Sequence, residues 1–364
     1  MDLFDRLNEH DYEKLVFCND GASGLRGIIA IHDTTLGPAL GGVRMRPYET
    51  EEDALIDVLR LARGMTYKGA ISGVNLGGGK SVIIGDPQSE KSDSLLEAMG
   101  RFIEALGGEY IAGQDIGTGS RDMAVLSGVT RHVSCVPRHA GGAGDPSHAT
   151  AYGVTCGIRA VLEAVTGSDD LAGRHVAIQG LGHVGAFVAR YVHEQGARLT
   201  VCDIVEEPVR RAVEELGAAA VAPDAIYDVE CDIFAPCSVG AVVNDRTLER
   251  FRCAGIAGAA NNVLAESQHG TALMKRGIAY GPDYLVNSGG LIRCQQEVLD
   301  GPTDDARIFE KVSQIQDQTR SVIRVAEELG IGTEEAANRM AEERLHEVRQ
   351  AGKAWNALRN TRPA

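Results

Sequence analysis

Residues 175–203 read HVAIQGLGHVGAFVARYVHEQGARLTVCD and decide the fold of the larger part of this chain. A β-branched run, HVAIQ, leads into a glycine-rich turn, and apolar residues then recur at helical spacing. A second apolar run ends on Asp203, 18 residues after Gly185. A lone GxGxxG is weak support, but strand, turn, helix and acid in this order form a dinucleotide-binding fingerprint. The competing interpretation is a glycine-rich turn in an unrelated α/β fold.

Each part of this turn has a predicted task. Gly180 permits the tight turn, Gly182 lets a pyrophosphate approach the backbone, and Gly185 allows the helix to pack on the strand. The pyrophosphate is expected at the helix N-terminus, where unpaired N–H groups favour anions. Asp203 is expected to bind the ribose hydroxyls and to repel the extra phosphate of NADP, which predicts NAD as the cofactor. The predicted turn residues are Gly180, Leu181, Gly182, His183, Val184 and Gly185.

Strands and helices alternate from about Ala149 onward, which predicts a doubly wound parallel sheet with helices on both faces. The stretch RHAGGAGDPS at 138–147 is rich in Gly, Asp, Pro and Ser, and it is therefore predicted to be a loop or hinge. A chain of 364 residues exceeds the size of one core, so two domains are expected. The fold class is α/β.

The N-terminal part mixes strands and helices. Residues 25–33 and 81–86 are apolar, β-branched runs and are predicted to be strands. Thr50 and Asp53 form a capping-box pattern at the start of a helix, which is predicted to end near Lys68. A glycine-rich turn is expected after that helix.

Two lysines, Lys68 and Lys80, flank the run Gly77–Gly79. Glycines let a backbone approach a ligand, and a lysine held beside them offers a positive charge for a carboxylate or for proton chemistry. A phosphate loop is excluded because Val74 stands where GxxxxGK[ST] requires its first glycine. A strand with a solvated lysine remains an alternative.

Asp115 lies at the end of the predicted strand YIAGQ and precedes IGTGS. A carboxylate in this position can exchange protons with a substrate amine. The alternative is that Asp115 caps the helix that begins at SRDMAVL.

Composition excludes several classes of function. The net charge of −15 and the pI near 5.1 argue against nucleic-acid binding. No apolar run is long enough for a membrane span, and the N-terminus lacks a signal-peptide layout, so a cytoplasmic protein is expected. The eight cysteines form no CxxC pair, which predicts reduced thiols and no metal site.

Several segments together resemble the amino-acid dehydrogenases of the glutamate/leucine/phenylalanine/valine superfamily, and their spacing is nearest to the leucine and valine branch. The resemblance covers nearly the whole chain. The matching segments, in order, are LARGMTYK, NLGGGKSVIIGDP, GQDIGT, GDPSHATAYGV, AIQGLGHVG, ECDIFAPCSVGAVVND, IAGAANN and PDYLVNSGGLI.

The resemblance implies reversible, NAD-dependent oxidative deamination of an L-amino acid to its 2-oxo acid and ammonia. It implies that Lys68 binds the substrate carboxylate, Lys80 activates the attacking water and Asp115 moves protons at the substrate nitrogen. Thr150 and Asn262 would contact the nicotinamide or the substrate. The implied organisation is a catalytic and oligomerisation domain over 1–137, joined by C-terminal helices at about 330–364, and a Rossmann-type NAD domain over 146–329. A homo-oligomer, an octamer or a dimer, is implied as well.

The implied side-chain pocket contains Leu40, Gly113, Leu291 and Cys294. Gly113 adds room where leucine enzymes usually have Ala, whereas Leu291 removes some. Branched aliphatic substrates (leucine, valine and isoleucine) are expected, and an aromatic substrate such as phenylalanine is the alternative. A hydroxy-acid dehydrogenase would use a His–carboxylate pair, and a non-catalytic NAD sensor would not need both lysines with Asp115.

Overall fold

The chain divides into two units, and the computed structural model describes residues 3–300 and 304–360. Unit 1 comprises residues 1–145, 294–303 and 341–364, and unit 2 comprises residues 146–293 and 304–340. The first boundary lies between Asp145 and Pro146, within the segment that was predicted to be a loop or hinge.

Unit 1 is built on a mixed five-stranded sheet in the order β1-β2-β4-β3-β5. β2 is antiparallel to β1 and β4, whereas β3 is parallel to β4 and β5. The elements are α1 (Leu3–Glu9), β1 (Lys14–Asp20), β2 (Leu25–Asp33), β3 (Ala39–Arg46), α2 (Glu51–Ile71), β4 (Gly77–Ile84), α3 (Asp93–Ala105), β5 (Tyr110–Gln114) and α4 (Ser120–Ser127).

The predicted strand at residues 25–33 and the predicted start of α2 are confirmed. The Thr50 hydroxyl accepts a hydrogen bond from the backbone N–H of Asp53, and the Asp53 carboxylate accepts one from the backbone N–H of Thr50. Two boundaries differ from expectation. α2 continues to Ile71, and Gly77–Gly79 are not a turn but the first residues of β4. Glycine has a low β propensity, so no strand was predicted at these three positions. Close packing against neighbouring elements is what requires glycine there.

Protein atoms fill the space beside these glycines. A Cβ on Gly77 would lie 2.2 Å from the carbonyl oxygen of Asp33, and a Cβ on Gly78 would lie 2.0 Å from Oγ1 of Thr66 in α2. A Cβ on Gly79 would lie 2.8 Å from the Tyr110 ring on the opposite face. These glycines therefore let a helix and neighbouring strands approach β4 closely.

Unit 2 is built on a six-stranded sheet in the order β11-β10-β9-β6-β7-β8, with every neighbouring pair parallel. The elements from residue 147 onward are α5 (Ser147–Thr166), β6 (His175–Gln179), α6 (His183–Glu194), β7 (Arg198–Cys202), α7 (Glu206–Leu216), β8 (Ala219–Ala220), β9 (Glu230–Pro236), α8 (Asp245–Leu248), β10 (Arg252–Ile256), α9 (Gln268–Lys275), β11 (Ala279–Tyr280), α10 (Asp283–Val286), α11 (Gly289–Gln295), α12 (Asp305–Leu329) and α13 (Thr333–Asn360).

The chain winds outward from β6 through β7 to β8, and then returns to β9 on the other side of β6. This reversal is the doubly wound arrangement that the sequence predicts, and ligands of such sheets bind at the reversal. The sheet is covered on both faces. Ile178 of β6 lies in one apolar cluster, whereas its neighbour Ala177 lies in a second cluster with Phe234.

The part of α13 after Met340 belongs to unit 1, in line with the expectation that C-terminal helices pack back on the first domain. The Arg344 guanidinium donates to the carbonyl oxygens of Gly69 and Ala70 at 3.0 and 2.8 Å, and to Oδ1 of Asn75 at 2.9 Å. It thereby satisfies carbonyls at the C-terminal end of α2. Within the described ranges, none of the helices has the length and apolar character needed to cross a membrane.

Candidate functional site

The structure brings two predicted catalytic residues together in unit 1. Lys80 lies within β4 and is only 4% exposed, and its ammonium donates to Oδ2 of Asp115. Asp115 follows the last residue of β5. The alternative of a solvated lysine is therefore wrong. A buried ammonium without such a partner would be very costly, so the pair accounts for the burial of both charges.

Asp115 is not a helix cap. The N-cap of α4 is Gly119, and its backbone N–H donates to the Asp122 carboxylate at 2.9 Å. Asp115 instead uses its second oxygen, Oδ1, to accept from the guanidinium Nε of Arg44 at 2.9 Å and from the backbone N–H of Ile116 at 2.6 Å. Both of its carboxylate oxygens therefore face cations or N–H groups.

These contacts decide the charge of Asp115. Burial raises the pKa of its carboxyl, but the charges of Lys80 and Arg44 outweigh burial and lower this pKa to about 2. Asp115 is therefore ionised near neutral pH.

Lys68 lies in the last turn of α2 and is half-buried. Its helix packs on β4 through the close approach of Thr66 to Gly78, and these residues lie two positions before Lys68 and Lys80 respectively. This contact leaves little freedom for α2 to slide along the strand. The backbones that carry the two lysines are consequently held in a fixed relation.

The residues predicted to line the side-chain pocket of unit 1 have neighbours that the sequence analysis missed. A Cβ on Gly113 would lie 3.3 Å from Oγ of Ser134 and 3.9 Å from Sγ of Cys135. Sγ of Cys135 in turn lies 3.5 Å from Sγ of Cys294. Cys135 has a left-handed backbone with φ of 61°. No local sequence pattern predicts this conformation. Leu40 is buried in β3, opposite Gly78 and Ile111 of the adjacent strands.

Arg44 is a further residue that the sequence analysis missed. The available signal was a guanidinium inside the apolar strand ALGGVRMR, where Val43 and Met45 are fully buried. Arg44 is itself only 12% exposed in its side chain, and it bridges Asp115 and Asp57.

In unit 2 the three fingerprint glycines differ in their surroundings. Gly180 has φ of 95°, and a Cβ on Gly185 would lie 2.0 Å from the Gly180 carbonyl oxygen, so neither position admits a side chain. Gly182 is the N-cap of α6, and a Cβ there would meet nothing within 4 Å. Open space at a helix N-terminus fits a pyrophosphate. The turn therefore suits a dinucleotide.

Asp203 lies directly after β7 and next to this turn. Its Oδ2 accepts from the backbone N–H of Leu181 at 2.6 Å, and its Oδ1 accepts from that of Val205 at 2.9 Å. Arg210, the nearest arginine downstream, is engaged with Glu207 and Glu214 on the exposed side of α7. Arg210 therefore pairs within its own helix rather than with the Asp203 carboxylate.

The other predicted residues of unit 2 lie in α6, in α5 and in the segment after β10. His183 is the exposed first residue of α6, and Val184 packs against the core. Thr150 lies in the first turn of α5, and its hydroxyl lies 2.7 Å from the place of a Cβ on Gly290, the neighbour of buried Leu291. Asn262 is exposed and has a left-handed backbone with φ of 52°.

The described residues contain no group of three or more His, Cys, Asp or Glu side chains that could hold a metal ion. All eight cysteines are free thiols.

Two family models match the chain. The model described as "Glu/Leu/Phe/Val dehydrogenase, dimerisation domain" matches residues 13–132. The model described as "Glutamate/Leucine/Phenylalanine/Valine dehydrogenase" matches residues 141–206 and 201–352. Together they cover most of both units.

Individual relatives agree with this match. Leucine dehydrogenase of Thermoactinomyces intermedius is 50% identical over 350 residues, which are 96% of this chain and 95% of the relative. Phenylalanine dehydrogenase of Bacillus thermotolerans is 47% identical over 94% of this chain and 90% of the relative. The crystal structure of L-tryptophan dehydrogenase from Nostoc punctiforme is 40% identical, with a TM-score of 0.84 over 96% of this chain and 100% of that chain. The chain therefore belongs to the glutamate/leucine/phenylalanine/valine dehydrogenase family, and it is an amino-acid dehydrogenase with the fold of a nicotinamide-dependent oxidoreductase.

Proposed function

We propose that this protein catalyses the NAD-dependent, reversible oxidative deamination of branched-chain L-amino acids to 2-oxo acids and ammonia. The observation that carries the proposal is the buried ion pair of Lys80 and Asp115 in a chain of this family. A buried ion pair with a purely structural role adds little stability compared with apolar residues in the same place. A proton-transfer site, in contrast, needs both charged groups.

The residues of unit 1 divide the chemistry between them. Lys68 binds the substrate carboxylate as a point charge. Loss of a hydride turns the substrate into an imine. Lys80, as the neutral amine, takes a proton from the water that adds to the imine carbon, and Asp115 accepts and returns protons at the substrate nitrogen, which leaves as ammonia. The nicotinamide, when it is bound, supplies the hydride acceptor. Leu40, Gly113, Leu291 and Cys294 are proposed to contact the side chain of the substrate.

The residues of unit 2 are proposed to hold NAD. The pyrophosphate lies on Gly180–Gly185 and the N-terminus of α6, and Asp203 accepts hydrogen bonds from the ribose hydroxyls. Thr150 and Asn262 are proposed to contact the nicotinamide or the substrate. The catalytic and NAD domains are assigned to residues 1–137 and 146–329, with the helices at about 330–364 joining the first. A cytoplasmic homo-oligomer, an octamer or a dimer, is part of the same proposal.

A panel of L-amino acids, assayed by NADH absorbance, tests the proposal. Leucine, valine and isoleucine are expected to have kcat/KM values within about tenfold of one another, because one methylene in an apolar pocket is worth only about 1–3 kcal/mol. A 2-hydroxy acid is expected to give no turnover. Turnover of hydroxy acids but not of amino acids would contradict the proposed reaction.

Gly113 makes phenylalanine the main alternative substrate. In Gly113→Ala the new Cβ would lie 3.3 Å from Oγ of Ser134, which is tight but leaves the backbone in place. The variant is expected to lower kcat/KM for phenylalanine by roughly tenfold relative to leucine, because it removes about a methyl group of pocket volume. A wild type that prefers phenylalanine over leucine would overturn the branched-chain assignment, and an unchanged ratio in the variant would place Gly113 outside the pocket.

Cofactor choice is expected to depend on Asp203. Its carboxylate would face the 2′-phosphate of NADP, and such like-charge contacts cost several kcal/mol, or roughly 10²-fold or more in affinity. We expect the wild type to favour NAD by at least that factor in kcat/KM, and Asp203→Asn to narrow the preference. The asparagine can accept from the N–H of Leu181 but no longer from that of Val205, so a thermal unfolding curve of the variant checks that the turn survives. Equal use of both cofactors by the wild type would contradict this role.

A further inference from the structure

Arg44 is the one cation beside Lys80 whose side chain bonds the Asp115 carboxylate among the described residues. Its Nε donates to Oδ1 of Asp115 at 2.9 Å, whereas Lys80 uses Oδ2. The two cations therefore divide the carboxylate between them. Gly42, two residues before Arg44 on the same strand, makes room for this arrangement, because a Cβ there would lie 2.7 Å from Cβ of Asp115.

A second carboxylate, that of Asp57, also bonds the Arg44 guanidinium. Its Nη1 donates to Oδ2 of Asp57 in α2 at 3.0 Å, and the same oxygen accepts from the Tyr48 hydroxyl at 2.9 Å. Asp57 also accepts from Arg60 at 3.0 Å through its other oxygen. Burial raises the pKa of Asp57, but its bonds to Tyr48, Arg44 and Arg60 outweigh burial and lower this pKa. The Asp57 carboxylate, which holds Arg44, is therefore negatively charged.

We propose that Arg44 is a positioning residue that fixes the orientation of the Asp115 carboxylate, and that Asp57 and Tyr48 hold Arg44 in place for this task. The inference rests on the proposed role of Asp115 in proton transfer. Arg44 bonds Oδ1, so rotation of the carboxylate is restrained while Oδ2 remains directed at Lys80. A carboxylate that is free to rotate cannot accept a proton at a fixed point.

The charged and titratable groups around Asp115 come from three strands. Lys80 bonds it from β4 and Arg44 bonds it from β3, whereas the buried phenol of Tyr110 in β5 bonds the Ser81 hydroxyl and interacts with Asp115 only through its charge. Tyr110 is itself held by the Gly41 carbonyl oxygen at 2.8 Å. Removal of Arg44 leaves Lys80 as the only cation in contact with Asp115 among these groups. The carboxyl pKa should then rise, by about one to three units for the loss of one adjacent opposite charge.

Four full-length proteins test the inference: the wild type, Arg44→Met, Arg44→Lys and Arg60→Met. Arg60 is the matched control, because it also bonds Asp57 but its side chain is 53% exposed and it does not contact Asp115. Arg44→Met should lower kcat by about 10–10²-fold through misplacement of the carboxylate, with KM within about twofold. Arg44→Lys should recover part of the loss, and Arg60→Met should behave like the wild type.

The second readout is independent of turnover. The protonated carboxyl band of Asp115 can be followed by infrared spectroscopy against pH, and it is identified by its loss in Asp115→Asn. It should appear in Arg44→Met at a pH about one to three units above that of the wild type. A fall in kcat with no change in this band would mean a merely structural Arg44 and would overturn the inference, as would an unchanged kcat with an unchanged band. If the band shifts but Asp115→Asn retains normal turnover, the proposed role of Asp115 fails instead.

Discussion

Replacing Lys80 with alanine is expected to lower kcat by roughly 10²–10⁴-fold, the usual range for loss of a positioned general base. Lys80 is buried in β4 with its ammonium on Asp115, so its loss removes the amine that is positioned at this carboxylate. Fluorescence titration of NADH should show nearly intact cofactor binding, since the fingerprint glycines and Asp203 belong to unit 2. Stopped-flow measurement of NADH formation would separate this chemical step from product release.

Two controls accompany this prediction. Arg44 still neutralises Asp115 in Lys80→Ala, so the variant should fold, and a thermal unfolding curve checks that it does. Lys68→Ala is the second control, because it removes the other lysine of the candidate site. Since Lys68 is proposed to bind the substrate carboxylate, its loss should act mainly on the KM of the amino acid. Near-normal turnover of folded Lys80→Ala would remove Lys80 from the catalytic role.

Gly78→Ala is expected to destabilise unit 1 by about 3 kcal/mol, the upper part of the usual range for an overpacked core. Its Cβ would lie 2.0 Å from Oγ1 and 2.2 Å from the backbone nitrogen of Thr66. The hydroxyl can rotate away, but the backbone nitrogen cannot, so α2 must move as a whole. Urea denaturation monitored by circular dichroism measures this loss.

Gly64→Ala is the matched control within the same helix. Gly64 lies in the exposed part of α2, and a Cβ there would meet nothing within 4 Å. Alanine is favoured over glycine in a helix interior by about 1 kcal/mol, so this variant should be slightly more stable than the wild type. A Gly78→Ala protein as stable as the wild type would show that the helix and strand are not in close contact.

Local signals in the sequence were sufficient for much of the fold. The Thr50–Asp53 capping box and the β-branched strand at 25–33 rest on interactions between near neighbours, and the structure has both. The strand–turn–helix pattern around Gly180 likewise led to the doubly wound sheet of unit 2. Strands β1 and β3 were not predicted. In β3 (ALGGVRMR), two adjacent glycines and an arginine interrupt the regular apolar alternation that indicates a strand.

By itself, the sequence determined the α/β class, the dinucleotide fingerprint, the family and the residue types of the candidate site, because each depends on chemistry or on spacing within a short segment. The tertiary structure decided what surrounds those residues. It showed that protein atoms fill the space beside Gly77–Gly79, and that Lys80 pairs with Asp115. It also showed that Arg44 holds the other side of that carboxylate. These contacts join residues 35 and 71 positions apart, and only the folding of β3, β4 and β5 into one sheet brings them within hydrogen-bond distance.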